Sequence, residues 1–277
     1  EVVTTIKKGI IDPAMIADPM TFVWVMMAAL LAAAIWLNLA TALGAPVSTT
    51  HSIVGGVMGG GIAAAGWGIA NWGTVGQIAA SWVISPVLGG AIAAALLYLI
   101  KRSITYQGDL VAAAKRRVPW FLGLMAWAFA TYLAVKGLKR ITDISFVGAL
   151  GIGFVVAVAV FFIVRPLIAR AADRMTENSK ASVNSLFTWP LIFAAALLSF
   201  AHGSNDVANA VGPLAAINDA LAHAGKAAEA AIPLWIMVIG ALGLAVGLAL
   251  YGPKLIRTVG HEITEIDQMR AYCIAMA

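Results

Sequence analysis

The chain has 277 residues, 61% of them hydrophobic and 11% charged, with a mean hydropathy of +0.91. Soluble domains carry about 25% charged residues, so this composition excludes one and indicates an integral membrane protein. The net charge of +5 would suit nucleic acid in a soluble protein, but all eighteen Lys and Arg border apolar runs or lie between them, which is a topology pattern, and no nucleic-acid partner is expected.

Apolar runs of about 20 residues are helix-length, whereas barrel strands would alternate over about ten. The expected class is an all-α, multi-span membrane protein in contact with the lipid bilayer. Cys273 is the single cysteine, which excludes an internal disulfide and a cysteine metal cluster. Glu1 opens the chain, and no short signal peptide precedes the first apolar run.

Residues 1–19 carry Lys7, Lys8, Asp12 and Asp18 with Pro13 and Pro19, an interfacial lead-in whose prolines stop a helix. Met20 to Leu43 is the first span, uncharged, with Asn38 its one strongly polar side chain. Gly44 to Gly66 then reads GAPVSTTHSIVGGVMGGGIAAAG. Pro46 marks a break, and Ser48, Thr49, Thr50, His51 and Ser52 put polar groups where a helix start offers free N–H groups and the positive end of its dipole. Such a start binds an oxyanion without Arg or Lys. The glycines suggest a re-entrant hairpin of two half-helices. The plainer alternative is that Ser and Thr cap a helix and the glycines serve helix packing.

Further spans are expected at Val75 to Ile100, kinked at Pro86, and at Val118 to Val135 and Ile144 to Val164, with basic segments at 101–117 and 165–180. The second basic segment is read as a hinge. Leu186 to Ile217 is long enough to cross but carries Gly203, Ser204, Asn205, Asp206, Gly212 and Pro213, and a broken helix is expected. Asn218 to Ala231, with Asp219, His223, Lys226 and Glu229, is read as a loop, Pro233 to Leu250 as a span, and Pro253 to Ala277 as a further span cut short. If 44–66 dips in and returns on one side, Lys7, Lys8, the 101–117 and 165–180 segments, Lys254 and Arg257 share one face, the cytoplasmic one. Lys136, Lys139, Arg140 and Lys226 then lie on the other.

Among the thirteen acids, Asp206 is the one read as lying inside an apolar segment. An ionisable group at membrane depth costs a few kcal/mol unless paired, so a substrate, ion or proton site is expected there. Asn205, Asp206 and Asn209 offer oxygen ligands within one helical turn, a set that suits Na+ as the metal, or Asp206 takes and releases a proton. The alternative is a structural Asp capping a half-helix. His202 and His51 stand as accessory residues or as hydrogen-bonding core residues. A hydroxyl-rich helix start beside an acidic, asparagine-rich segment makes anion-plus-cation symport the simplest mechanism. An intramembrane hydrolase using Ser48 or Ser204 with His51 or His202 lacks a GxSxG setting, so no enzyme is expected. A channel-like or structural subunit leaves both clusters without a specific task, though a sodium or water channel could use them.

The motifs AHGSNDVANAVGPLAAI and GAPVSTTHSIVGGVMGGG, with GPKLIRTVGHEIT beside them, resemble the inorganic phosphate transporter (PiT) family. The resemblance implies an all-helical transporter of two inverted repeats, each giving one broken helix and one re-entrant hairpin to a central site. It implies phosphate as partner, bound by Ser48, Thr49, Thr50 and Ser204, and cation coupling through Asn205, Asp206 and Asn209. The coupling ion would be Na+ or H+, with no other cofactor. It also implies a multi-pass protein of the cell inner membrane that allows a homodimer, and it leaves sulfate open as the anion. Each motif occurs once here where the family has two, and the end of the chain, at Thr258, Val259 and Ile263, echoes its beginning at Thr5, Ile6 and Ile10. The expectation is a central fragment: 1–164 the remainder of one repeat, 165–185 a cytoplasmic linker, and 186–277 the start of the other repeat.

Overall fold

Without water, each backbone N–H and C=O must find its partner within its own segment, which makes the helix the available form for apolar runs of this length. The computed structural model describes residues 4–5, 9–137, 144–222, 232–257 and 266–277, and within them it is helical apart from turns and one isolated bridge between Ile11 and Ala70. The helices are α1 (Pro19–Ala42), α2 (Thr49–Ala65), α3 (Trp72–Ile100), α4 (Leu110–Lys136), α5 (Phe146–Asp173), α6 (Lys180–Leu186), α7 (Thr188–Ala222), α8 (Leu234–Arg257) and α9 (Gln268–Met276). Six helices are long and apolar enough to cross a membrane: α1, α3 with its π-helical extension to Thr105, α4, α5, α7 and α8. They overlap the six full spans expected from sequence, whereas of the further span expected at Pro253 to Ala277 the described part is the end of α8, which runs through Pro253 to Arg257, and the nine-residue α9. Lys7, Lys8, Lys139, Arg140, His223, Lys226, Glu229, Thr258, Val259 and Ile263 lie outside the described residues.

Contacts divide the chain into two units, residues 1–84 with 201–265 and residues 85–200 with 266–277, so the division falls within α3 and α7. In the first unit, Asp18 caps α1 by accepting from the Met20 and Thr21 amides, with Pro19 at the first helical position. The far end closes at Gly44, whose φ of 73° lets Ala45 N–H reach the Ala40 carbonyl and Gly44 N–H the Thr41 carbonyl. Pro46 follows, and the chain runs extended into Ser48, the cap of α2.

The 44–66 stretch departs from expectation. It forms one 17-residue helix, α2, rather than two half-helices, and at 1.5 Å per residue that helix is about 26 Å long. The glycines explain why. A Cβ on Gly56 would lie 2.9 Å from the Ala29 carbonyl oxygen, and one on Gly60 would lie 3.2 Å from that of Val25. Gly56 and Gly60 thus let α2 lie against α1 backbone to backbone, the small-xxx-small mode of membrane helix packing. Its far end comes back to the lead-in, where Asp12 N–H donates to the Ile69 carbonyl and Asn71 N–H to the Ile10 carbonyl. Ile10, Ile11, Met26, Ala29, Ile53, Val57 and Ile69 are buried together, and Ala216 of α7 joins them.

The expected break at Gly203 to Asp206 is likewise absent: α7 is helical from Thr188 to Ala222, through Gly203, Gly212 and Pro213. A helix satisfies its own backbone, so glycine and asparagine propensities give way. Pro213 still removes one N–H from the ladder, which leaves the Asn209 backbone carbonyl without its usual donor. α7 also runs five residues past Ile217, so Asp219 is a buried helical residue and not a loop residue.

In the second unit, α4 and α5 pack along their length. The core there joins Ile104, Val118, Leu122, Ile168, Phe187 and Tyr272. Asn178 accepts from the Leu110 and Val111 amides at the start of α4 and donates to the Gly108 carbonyl. Asn184 bonds Gln268 and the Met269 amide, fastening α6 to α9.

Candidate functional site

The first turn of α2 sets one side of the site. Ser48 Oγ accepts from the His51 amide at 3.3 Å, which fixes where the helix starts. Thr49 and Thr50 therefore occupy the first two helical positions, where backbone N–H groups have no intrahelical acceptor and the dipole is positive. Ser52 Oγ donates back to the Ser48 carbonyl at 2.8 Å, so its hydroxyl belongs to the helix.

The middle of α7 sets the other side. Helical spacing puts His202, Asp206 and Asn209 on one face, since positions three and four apart are neighbours. His202 Nε2 lies 3.1 Å from Asp206 Oδ2, with the His202 side chain 70% exposed and that of Asp206 only 16%. Asn209 is 2% exposed, and its Nδ2 stands 3.4 Å from Asp206 Oδ1.

Two hydrogen bonds join these sides across more than 150 residues of sequence. Thr49 Oγ1 donates to Asp206 Oδ1 at 3.0 Å, and Asn209 Nδ2 donates to Thr50 Oγ1 at 2.9 Å. The two clusters picked out in the sequence, one hydroxyl-rich and one acidic, are thus in direct contact within one unit.

The contact leaves specific groups available. Asn209 Oδ1 is buried with no hydrogen-bond partner, an unusual condition for a side-chain oxygen that would otherwise have paired. Asn209 Oδ1, the Asp206 carboxylate and the threonine hydroxyls are oxygen donors of the kind a hard cation takes. Among the described residues, no three His, Cys, Asp or Glu side chains gather into a group that could hold a metal.

Not every expected residue is brought in. Ser204 is exposed, and neither Ser204 nor Asn205 makes a hydrogen bond to the cluster among the described residues. On a continuous helix they fall to either side of the Asp206 face, whereas a broken helix could have turned them inward. The His51 ring lies against that of Trp82 on α3, with ring centroids 4.1 Å apart. Trp82 carries no signal of its own in the sequence, being one aromatic in an apolar span. Behind α7, Val211 packs on Gly240 of α8, where an added Cβ would lie 2.7 Å from Val211 Cγ2.

Residues 1–277 match the profile of the phosphate transporter family (PHO4). The chain is 53% identical over 280 residues to a protein named "Putative phosphate permease" in Helicobacter pylori (strain J99), covering 100% of this chain and 52% of that one. A protein in Pyrococcus abyssi, likewise described as a phosphate permease, is 37% identical over 273 residues, covering 99% of this chain and 66% of that one. A solved structure described as "The sodium-dependent phosphate transporter" superposes with a TM-score of 0.89 at 32% identity, covering 99% of this chain and 67% of the other. The chain thus spans about half the length of its Helicobacter relative.

Proposed function

The chain belongs to the phosphate transporter family, a multi-pass membrane protein by its six apolar helices, and from that premise we propose that it forms part of a secondary transporter carrying inorganic phosphate by cation-coupled symport across the inner membrane. The observation that carries this reading is the hydrogen bond from Thr49 to Asp206. It puts an anion-binding helix start and a carboxylate within one bond of each other, which makes binding of one ion depend on the other.

The dependence follows from charge and proton count. A phosphate oxygen approaching Thr49 and Thr50 faces the Asp206 carboxylate. Two like charges about 5 Å apart at an effective dielectric of about 20 repel by about 3 kcal/mol, on the order of a hundredfold in affinity. A Na+ ion or a proton on Asp206 removes that repulsion. The Thr49 hydroxyl has one proton to donate, and in this arrangement it goes to Asp206. Loading Asp206 frees that proton for the anion. Asn209 would tie the two events together, since its amide N–H holds Thr50 and its unpartnered Oδ1 is left for the cation. Ser48 fixes the helix start, and His202 holds Asp206 from the open side. Ser204 and Asn205 enter only where α7 opens during the transport cycle. The proposed units of that cycle are residues 1–164 and 186–277, joined by the 165–185 linker.

The relatives' names and the sodium-dependent neighbour support phosphate over sulfate, and sodium as the coupling ion to test first. The test is uptake of radiolabelled phosphate into liposomes by the protein together with the coding sequence that flanks it, with sodium, pH and competing sulfate varied. Saturable uptake that needs the cation gradient and is competed by phosphate alone supports symport. Uptake linear in concentration and indifferent to the gradient overturns it in favour of a channel.

A further inference from the structure

The basic segments at 101–117 and 165–180 are orientation signals, the second also a hinge candidate, and the packing of α4 on α5 brings arginines of both to the same end of that helix pair. α4 and α5 run antiparallel there, and two contacts bracket the stretch. Trp120 lies on Phe161 with ring centroids 4.7 Å apart, and Lys115 Nζ reaches Asp173 Oδ1 at 2.6 Å. Arg116 and Arg117 of α4, and Arg165 and Arg170 of α5, fall between the brackets and are exposed. None makes an ion pair among the described residues. The acids at this end are Asp109, Asp173, Glu177 and Asp267, and three of them are engaged: Asp109 caps α4, Asp173 holds Lys115, and Asp267 lies 3.7 Å from Arg270.

We infer that this end of the α4–α5 pair is a binding surface for anionic phospholipid headgroups. Depth and chemistry both point there. Trp120 is 63% exposed one helical turn beyond Arg117, and Phe162 is 62% exposed just before Arg165. Large rings left bare beside a cationic row mark the boundary between acyl chains and headgroups. Orientation alone requires only positive charge on one side of the membrane, which Lys supplies as well. Exposed arginines at one end of two packed helices carry forked donors of the kind that match a phosphodiester bidentately, and basic clusters at helix ends hold acidic lipids. The acyl chains then lie along the bare Trp120 and Phe162 rings. This surface belongs to residues 85–200 and shares no residue with the Thr49–Asp206 site.

The experiment is native mass spectrometry and thermal unfolding of the full-length protein in neutral detergent, titrated with dioleoyl phosphatidylglycerol or dioleoyl phosphatidylcholine. Phosphatidylglycerol should be retained and should raise the unfolding midpoint, more weakly as NaCl increases, while phosphatidylcholine does neither. Changing Arg116, Arg117 and Arg165 together to Gln should weaken phosphatidylglycerol binding on the order of a hundredfold, and changing the same three to Lys should weaken it less. Millimolar inorganic phosphate should displace none of the lipid. Equal retention of the two lipids, salt-independent binding, or displacement by free phosphate each overturns the inference. The lipid and salt comparisons use the unaltered protein, so they decide even if the Gln variant misfolds.

Discussion

Ser48 to His51 and Gly56 to Gly60 lie within about three turns of each other on α2, and they meet different neighbours. The first turn faces α7, where Thr49 and Thr50 bond Asp206 and Asn209. The glycines face α1, where Gly56 and Gly60 touch the backbones of Ala29 and Val25. Small and polar residues in an apolar chain therefore have two uses, and the facing element decides between them. A hydroxyl opposite a carboxylate makes a polar bond between helices, which we propose serves transport, while a glycine opposite a backbone carbonyl serves packing. Substitutions at the two places should accordingly fail in different ways, one losing transport with the fold intact and the other losing the fold.

The largest effect is expected at Asp206. Asp206→Asn keeps the side chain's shape and one acceptor oxygen but removes the charge that, in the proposed mechanism, makes anion binding depend on the cation. Cation-driven phosphate uptake should fall by a hundredfold or more, with circular dichroism and unfolding midpoint unchanged. Uptake within a fewfold of wild type would remove Asp206 from the mechanism.

The glycine face comes next. Gly56→Ala places a methyl 2.9 Å from the Ala29 carbonyl oxygen and 3.1 Å from its Cα, and neither backbone atom can move aside cheaply. Overpacking of this kind costs about 1–3 kcal/mol, and the unfolding midpoint should drop. Gly59→Ala is the matched control. Nothing lies within 4 Å of its Cβ, so removing a helical glycine should be neutral or stabilise by up to about 1 kcal/mol. Equal effects from the two variants would mean that α2 does not lie on α1 as described.

A smaller change tests the bond between the two sides. Thr49→Val keeps the volume and removes the hydroxyl, leaving Asp206 Oδ1 one donor short. The KM for phosphate should rise about tenfold, in line with the net worth of a hydrogen bond to a charged group, while Thr49→Ser should restore most of it. A Ser variant no better than Val would point to packing by the Thr methyl instead of the bond.

The reach of the sequence follows from the same physics. The six spans are readable because runs of about 20 apolar residues have one stable form in a bilayer. Asp206 and the Ser48 to Thr50 turn stand out because each breaks that rule. Which polar residues meet is a matter of helix phase, and phase depends on whether α7 breaks. A break at Gly203 to Asp206 would let Ser204 and Asn205 share the site. The continuous helix keeps the face of His202, Asp206 and Asn209 instead. The re-entrant hairpin illustrates the same limit, because Gly56 and Gly60 look alike in sequence whether they bend a helix or seat it against α1. The 1–164, 165–185 and 186–277 division stays a proposal about the transport cycle.

The smallest expected effect is at the start of α1, where Asp18 is the helix cap. Asp18 is fully exposed, and its carboxyl is held below the usual range first by the Thr21 hydroxyl and then by the Met20 and Thr21 amides. A carboxyl with a lowered folded value binds its proton more weakly folded than unfolded. Its contribution is therefore present above the ordinary carboxylate value of about 3.9 and is lost as pH falls through the lower folded value. Asp18→Asn keeps a good neutral cap but no charge beside the helix N-terminus. Its unfolding midpoint should sit slightly below wild type at pH 6, and the gap should close as the pH is taken down to about 3. A gap that stays constant over that range would show that the Asp18 charge contributes nothing, leaving shape alone to cap α1. A gap that widened would reverse the sign of the linkage.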